Sequence, residues 1–147
     1  MKNFYIITNA VKDENLELTE KISDYIRLKG GNCAYQVSVA PGRGNCPLSL
    51  KEIPEDTECI LVIGGDGTLI RAARDTVELK LPLVGVNHGN LGYLCELEED
   101  NVYDAIDRMF QDDYVLEHRM MLSGYAVKGG RRSGETAALN DIVIHRS

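Results

Sequence analysis

The sequence has no paired metal ligands. Its four cysteines, Cys33, Cys46, Cys59 and Cys95, form no CxxC pair, and His88, His118 and His145 form no HxxxH or HExxH set. Zinc sites usually announce themselves by such close pairs, so no structural metal site is expected. The widely spaced cysteines read as free thiols of a reducing cytoplasm. Long apolar runs are missing too. Nothing approaches the ~20 residues needed to span a bilayer, and the run after Met1 is too short for a secretory signal core. Positive charge is in deficit: 16 Lys and Arg stand against 23 Asp and Glu, a formal net charge of −7. Nonspecific nucleic-acid binding needs a basic face and is not expected. Two phosphate-binding fingerprints are also lacking. Without GxxxxGK[ST] the chain is no Walker-type ATPase, and without GxGxxG after its first strand it is no ordinary dinucleotide dehydrogenase.

What is present is ordinary for a globular chain, with 44% hydrophobic and 27% charged residues over 147 positions. Phe4–Thr8 predicts a buried first strand. Leu18, Ile22, Tyr25 and Ile26 recur at helical spacing within Asp13–Lys29, and Gly30-Gly31 ends that helix. Cys33–Val39 predicts a second strand. Pro41-Gly42-Arg43-Gly44-Asn45-Cys46-Pro47 is a punctuated loop, read as a solvated connector with Arg43 as its only candidate phosphate contact. Cys59-Ile60-Leu61-Val62-Ile63 is continuously apolar, the pattern of a strand covered on both faces. A helix carrying Leu69, Ala72, Ala73, Thr76 and Leu79 follows, then the strand Leu83–Val86 and an amphipathic helix Val102–Phe110. The acids between Glu96 and Asp113 read as a solvated face.

After Asp112 the texture changes from alternating β/α to consecutive β. Tyr114–Val127 reads as one or two extended strands, Gly129-Gly130 as a turn and Ala137–His145 as another strand. The expectation is an α/β domain over 1–112 and the start of a β-rich domain over 113–147. That second part is expected to be truncated, because two or three strands cannot bury a core alone.

The chemistry concentrates after the apolar strand, at Gly64-Gly65-Asp66-Gly67-Thr68. In an open α/β sheet, ligands bind beyond the carboxyl ends of strands. Glycines there leave room for a phosphate to meet main-chain N–H groups, and the next helix presents its positive end to the same place. Asp66 is the one side chain of the turn able to accept a proton or help hold a magnesium ion. It could equally brace the turn itself.

This pentapeptide resembles the signature shared by NAD kinases, diacylglycerol kinases and 6-phosphofructokinases. Asn87-His88-Gly89-Asn90-Leu91-Gly92-Tyr93 resembles the NxGxLGF segment of NAD kinases, with Tyr in place of Phe. Leu139-Asn140-Asp141-Ile142-Val143-Ile144 resembles their LNE(V/I)VI segment, with Asp in place of Glu. The Pro-x-Gly-Thr-x-Asn-Asp segment of the related lipid kinases is not found after the following strand. The resemblance covers residues 60–147 well, and the first 58 residues only in their βαβ texture.

The resemblance implies a Rossmann-like open sheet with flanking helices, and an enzyme that phosphorylates the adenosine ribose 2′-hydroxyl of NAD with ATP and a divalent cation such as magnesium. It implies a phosphate loop of Gly64, Gly65, Gly67 and Thr68. Asp66 would accept the hydroxyl proton, with Gly67 closing on the same substrate. Arg71 would lie near the phosphates or, alternatively, make a surface ion pair. Asn87 and Tyr93 would line the NAD pocket, although Asn87 could simply shape a turn and Tyr93 pack in the core. Asn140 and Asp141 would hydrogen-bond the far ribose or nicotinamide portion or, alternatively, brace a strand. The histidines receive no role. A cytoplasmic, homo-oligomeric full-length protein is implied, with nucleotides as its small-molecule partners. Residues 1–147 alone are expected to be inactive. The rival readings are a GGDGT-type lipid kinase and a noncatalytic nucleotide-binding fragment.

Overall fold

The computed structural model describes residues 1–38, 48–89 and 92–143. The loop at 41–47, with Arg43 and Cys46, lies outside them, as do Asn90, Leu91 and His145. The described residues form two compact units, Met1–Leu116 and Glu117–Ser147.

The first unit is built on a five-stranded parallel sheet. Its strands are β1 (Asn3–Asn9), β2 (Asn32–Ser38), β3 (Cys59–Gly64), β4 (Leu83–Asn87) and β5 (Leu97–Glu98), in the order β2-β1-β3-β4-β5. Every residue of β3 is buried, as expected of a strand covered on both faces. Three helices flank the sheet: α1 (Glu17–Leu28), α2 (Asp66–Thr76) and α3 (Val102–Phe110). Leu18, Ile22 and Ile26 of α1 and Val102, Ile106 and Met109 of α3 share one core cluster with Phe4, Ile6, Leu61 and Ile63. Leu69 and Ala72 of α2 share the other with Tyr5, Ile7, Ile60 and Val62. Alternate residues of each strand thus feed opposite layers. The open α/β sheet with flanking helices is the fold expected from the sequence.

The expected elements hold with shifted edges. α1 begins at Glu17 rather than Asp13 because Asp13 lies outside the helix and caps it. Its carboxylate accepts from the Leu18 amide (3.2 Å), the Thr19 amide (2.9 Å) and the Thr19 hydroxyl (2.6 Å). Leu16, at φ 58°, turns the chain into the first helical residue. After α1, Gly30 takes the left-handed conformation (φ 85°), whereas Gly31 is required by packing. A Cβ there would lie 2.6 Å from the Lys2 carbonyl oxygen and 2.7 Å from the Phe110 ring. Strand β5 was not expected from sequence, since two residues among acids give no apolar run.

The second unit is an antiparallel hairpin of β6 (Leu122–Lys128) and β7 (Arg131–Ala138). Gly129 and Gly130, at φ 59° and 76°, make its turn, the positive pair that a two-residue hairpin loop demands. Here the sequence reading is corrected. The last strand ends at Ala138 instead of running from Ala137 to His145, so Asn140 and Asp141 follow it, exposed. The pairing was set by the diglycine turn, whose register matches Lys128 with Arg131.

Candidate functional site

From β1 the chain crosses first to one side of the sheet, to β2, and later to the other, to β3. The strand order therefore reverses between β1 and β3, and a crevice opens at such a reversal beyond the carboxyl ends of the strands. The residues at those ends are Asn9 on β1, Gly64 on β3 and Asn87 on β4, with Gly64 and Asn87 adjacent in register. The glycine turn singled out in the sequence stands at the reversal.

Gly65 is the N-cap of α2 and Asp66 its first residue. The first amides of a helix have no intrahelical partner, and its dipole favours an anion at that end. A Cβ on Gly65 or Gly67 would meet nothing within 4 Å, so both glycines face open space. Gly64 sits closer in, where a Cβ would lie 2.6 Å from Thr68 Oγ1. Thr68 is buried, and its Oγ1 accepts from Asn9 Nδ2 at 3.0 Å. Its hydroxyl therefore ties α2 to the end of β1.

The Asp66 side chain meets the segment that follows β4. Oδ2 accepts from the Tyr93 amide at 2.8 Å and Oδ1 from the Leu94 amide at 3.0 Å. These two donors, Tyr93 first, with a further contribution from Cys95, hold the carboxyl below its usual range. Burial and then the neighbouring Asp66 charge push the Cys95 thiol up to about 11.

Other expected site residues are placed variously. Asn87 is buried at the end of β4, and its Oδ1 has no hydrogen-bond partner; a buried acceptor left unpaired is costly. Tyr93 is fully exposed, with its amide rather than its ring engaged. Arg71 is half-buried on α2. Asn140 and Asp141 belong to the second unit. Asn9, Leu94 and Cys95 were missed in the sequence, as was Lys12, whose Nζ would lie 2.8 Å from a Cβ on Gly89. Main-chain donors carry no sequence signal, and a lone Asn or Lys after a strand carries a weak one.

Cavities open at both rims of the sheet. One of about 320 Å³ is lined by Lys12, Asp13, Lys21, His88 and Glu99 among others, after β1 and β4. The other, about 250 Å³, lies by Asn3, Arg27, Asn32 and Asp56 at the opposite rim. Asp66 lines neither of these two. No group of three or more His, Cys, Asp or Glu that could hold a metal ion comes together among the described residues.

A parallel sheet with helices on both faces, its order reversed at a glycine turn and a helix N-terminus, defines a Rossmann-like α/β domain. The ATP-NAD kinase N-terminal domain family matches residues 47–114. An NAD kinase of Agathobacter rectalis is 51% identical over 99% of the chain and 50% of its own length. That of Lachnospira eligens is 40% identical over 100% of the chain and 51% of its own length. A yeast NADH kinase solved with NADH shares the fold at a TM-score of 0.62 and 16% identity, over 95% of this chain and 47% of that one. The chain is thus similar, over nearly its whole length, to the N-terminal half of NAD kinases. It spans about half the length of the curated relatives it matches.

Proposed function

We propose that residues 1–147 form the N-terminal half of an NAD kinase, which transfers the terminal phosphoryl group of ATP to the adenosine ribose 2′-hydroxyl of NAD. The observation that carries this reading is the placement of Asp66, a carboxylate at the N-terminus of α2 beside the sheet's reversal, next to glycines that face open space. An acidic chain can receive a triphosphate there because the donors are main-chain amides rather than a basic face.

In the proposed reaction the 2′-oxygen bonds to the γ-phosphorus, the bond to the β-phosphate bridging oxygen breaks, and ADP leaves. The hydroxyl proton passes to the Asp66 carboxylate. The transition state of such transfers is loose, so alignment and charge neutralisation supply most of the rate. Gly64, Gly65, Gly67 and Thr68 form the phosphate turn in this reading, with Gly67 also closing on NAD and Arg71 beside the phosphates. Magnesium bound to the triphosphate would offset its charge. The unpaired Asn87 Oδ1 suits a donor of the nucleotide, and Tyr93 offers an exposed ring for stacking. Asn140 and Asp141 keep from the family resemblance the role of hydrogen-bonding the far ribose or nicotinamide portion. The second unit is the start of the β-rich NAD-binding domain. A cytoplasmic homo-oligomer is the expected assembly, and no helix among the described residues is long and apolar enough to cross a membrane.

The test joins residues 1–147 to the C-terminal half of the Agathobacter rectalis NAD kinase and measures NADP formation from NAD and magnesium-ATP. The chimera should make NADP, its Asp66→Asn form should make almost none, and residues 1–147 alone should be inactive. An Asp66→Asn chimera as active as its parent would overturn the reading.

A further inference from the structure

We propose that Asp66 anchors the segment 92–95, and that Gly92 is the positioning residue that lets two main-chain amides seat this carboxylate for a substrate hydroxyl. The proposal rests on the kinase reading for the identity of that hydroxyl, but not for the anchoring itself.

Asp66 opens α2, whereas Tyr93 and Leu94 follow β4, 27 and 28 positions later. The two amides take one carboxylate oxygen each, at 2.8 and 3.0 Å. A carboxylate offers about four lone-pair sites, so each oxygen keeps room for one more donor. Hydrogen bonds to an ionised acceptor are the stronger kind, and a pair of them stops rotation about the Cβ–Cγ bond. The substrate hydroxyl then meets an acceptor whose plane is already set, and the ordering cost is not met during the reaction.

Gly92 makes this approach possible. A Cβ at that position would lie 2.6 Å from Asp66 Cγ and closer still to Oδ1. Even alanine must push the carboxylate or the segment away. The requirement shown is one of space, set by the carboxylate lying against the Gly92 α-carbon.

The anchor also defines what Asp66 does. Its displacement below the usual carboxylate range comes from the Tyr93 amide, then the Leu94 amide, with Cys95 contributing and no charged side chain taking part. A carboxylate whose pKa is lowered is a weaker base than a free one. It serves mainly to orient the hydroxyl and takes the proton late, as a loose phosphoryl-transfer transition state permits.

The test uses residues 1–147 with carbon-13-labelled aspartate carboxyls and nitrogen-15-labelled amides, followed by NMR against pH without nucleotide. In the unaltered chain Asp66 should titrate below the ordinary value of about 3.9, and the Tyr93 and Leu94 amides should report the same midpoint. In Gly92→Ala the midpoint should return toward the ordinary value and both amides should stop following it. Should Gly92→Ala not fold, Asp66→Asn provides the second arm, with faster hydrogen exchange expected at Tyr93 and Leu94. Asp66 titrating alike in folded Gly92→Ala and the unaltered chain, or exchange unchanged in Asp66→Asn, overturns the proposal. In the chimera, Gly92→Ala should lower kcat for NADP formation by about tenfold or more, with a smaller change in the KM for NAD. A chimera that makes no NADP counts against the kinase reading, while titration and exchange still decide the anchor.

Discussion

The Asn9 side-chain amide donates to Thr68 Oγ1 at 3.0 Å, bridging the end of β1 and the first turn of α2. This bond spans the point where the strand order reverses, so it fixes the glycine turn against the neighbouring strand. Thr68→Val keeps the shape, removes the acceptor and leaves the Asn9 amide without it. The expected loss is about 1–2 kcal/mol of unfolding free energy, read from the urea midpoint. Thr68→Ser should lose less, because it retains the hydroxyl. A larger loss in Thr68→Ser than in Thr68→Val would show that the methyl group, not the bond, matters.

Asp13 makes stability depend on pH. Burial pushes its carboxyl up, but the Thr19 hydroxyl, the Thr19 amide and the Leu18 amide outweigh it and the net shift is downward. A group whose pKa is lower in the folded state contributes stability that is present above its unfolded value and lost as pH falls through the folded one. Asp13→Asn should therefore cost about 1–2 kcal/mol near neutrality, the range of a lost helix cap, and should flatten the acid side of the stability profile. Parallel profiles for the two proteins between pH 6 and 3 would remove Asp13 from that role.

Cys95 reports on Asp66 chemically. Burial first, then the Asp66 charge and its hydrogen bond, hold the thiol up at about 11. Asp66→Asn removes the last two causes, so the midpoint of the rate of alkylation by iodoacetamide against pH should fall toward the ordinary thiol range. Site-resolved mass spectrometry measures it, with buried Cys59, pushed up to about 12 by burial, as the unreactive internal standard. An unmoved midpoint would mean that the two side chains do not interact.

Much of the fold was legible because it rests on pattern. The all-apolar run Cys59–Ile63 could only be a covered strand, and Val102–Phe110 carried its helical period to both boundaries. What was not legible rests on geometry between distant residues. Asp13 has the composition of a helix start, yet only its three hydrogen bonds place it outside α1 as a cap. Gly31 reads as a helix stop, whereas the Lys2 carbonyl and the Phe110 ring are what exclude a side chain there. In the candidate site the sequence pointed to Asp66, Gly65, Gly67 and Asn87. It gave no sign that Tyr93 acts through its amide, since every residue but proline carries one. The end of β7 was misplaced because apolar residues continue past Ala138 after the pairing has stopped.

At the opposite rim of the sheet the starts of the strands are laced to one another. Glu58 accepts from the Lys2 and Asn3 amides, the Asn3 carboxamide takes a bond from Asn32 at 2.9 Å, and the Asn32 amide reaches the Lys2 carbonyl at 2.8 Å. One edge of the layer thus holds the strands in step while the other carries the candidate site. Substitutions along the laced edge are free to change how firmly the protein stands without changing what it handles, and the reverse holds across the sheet.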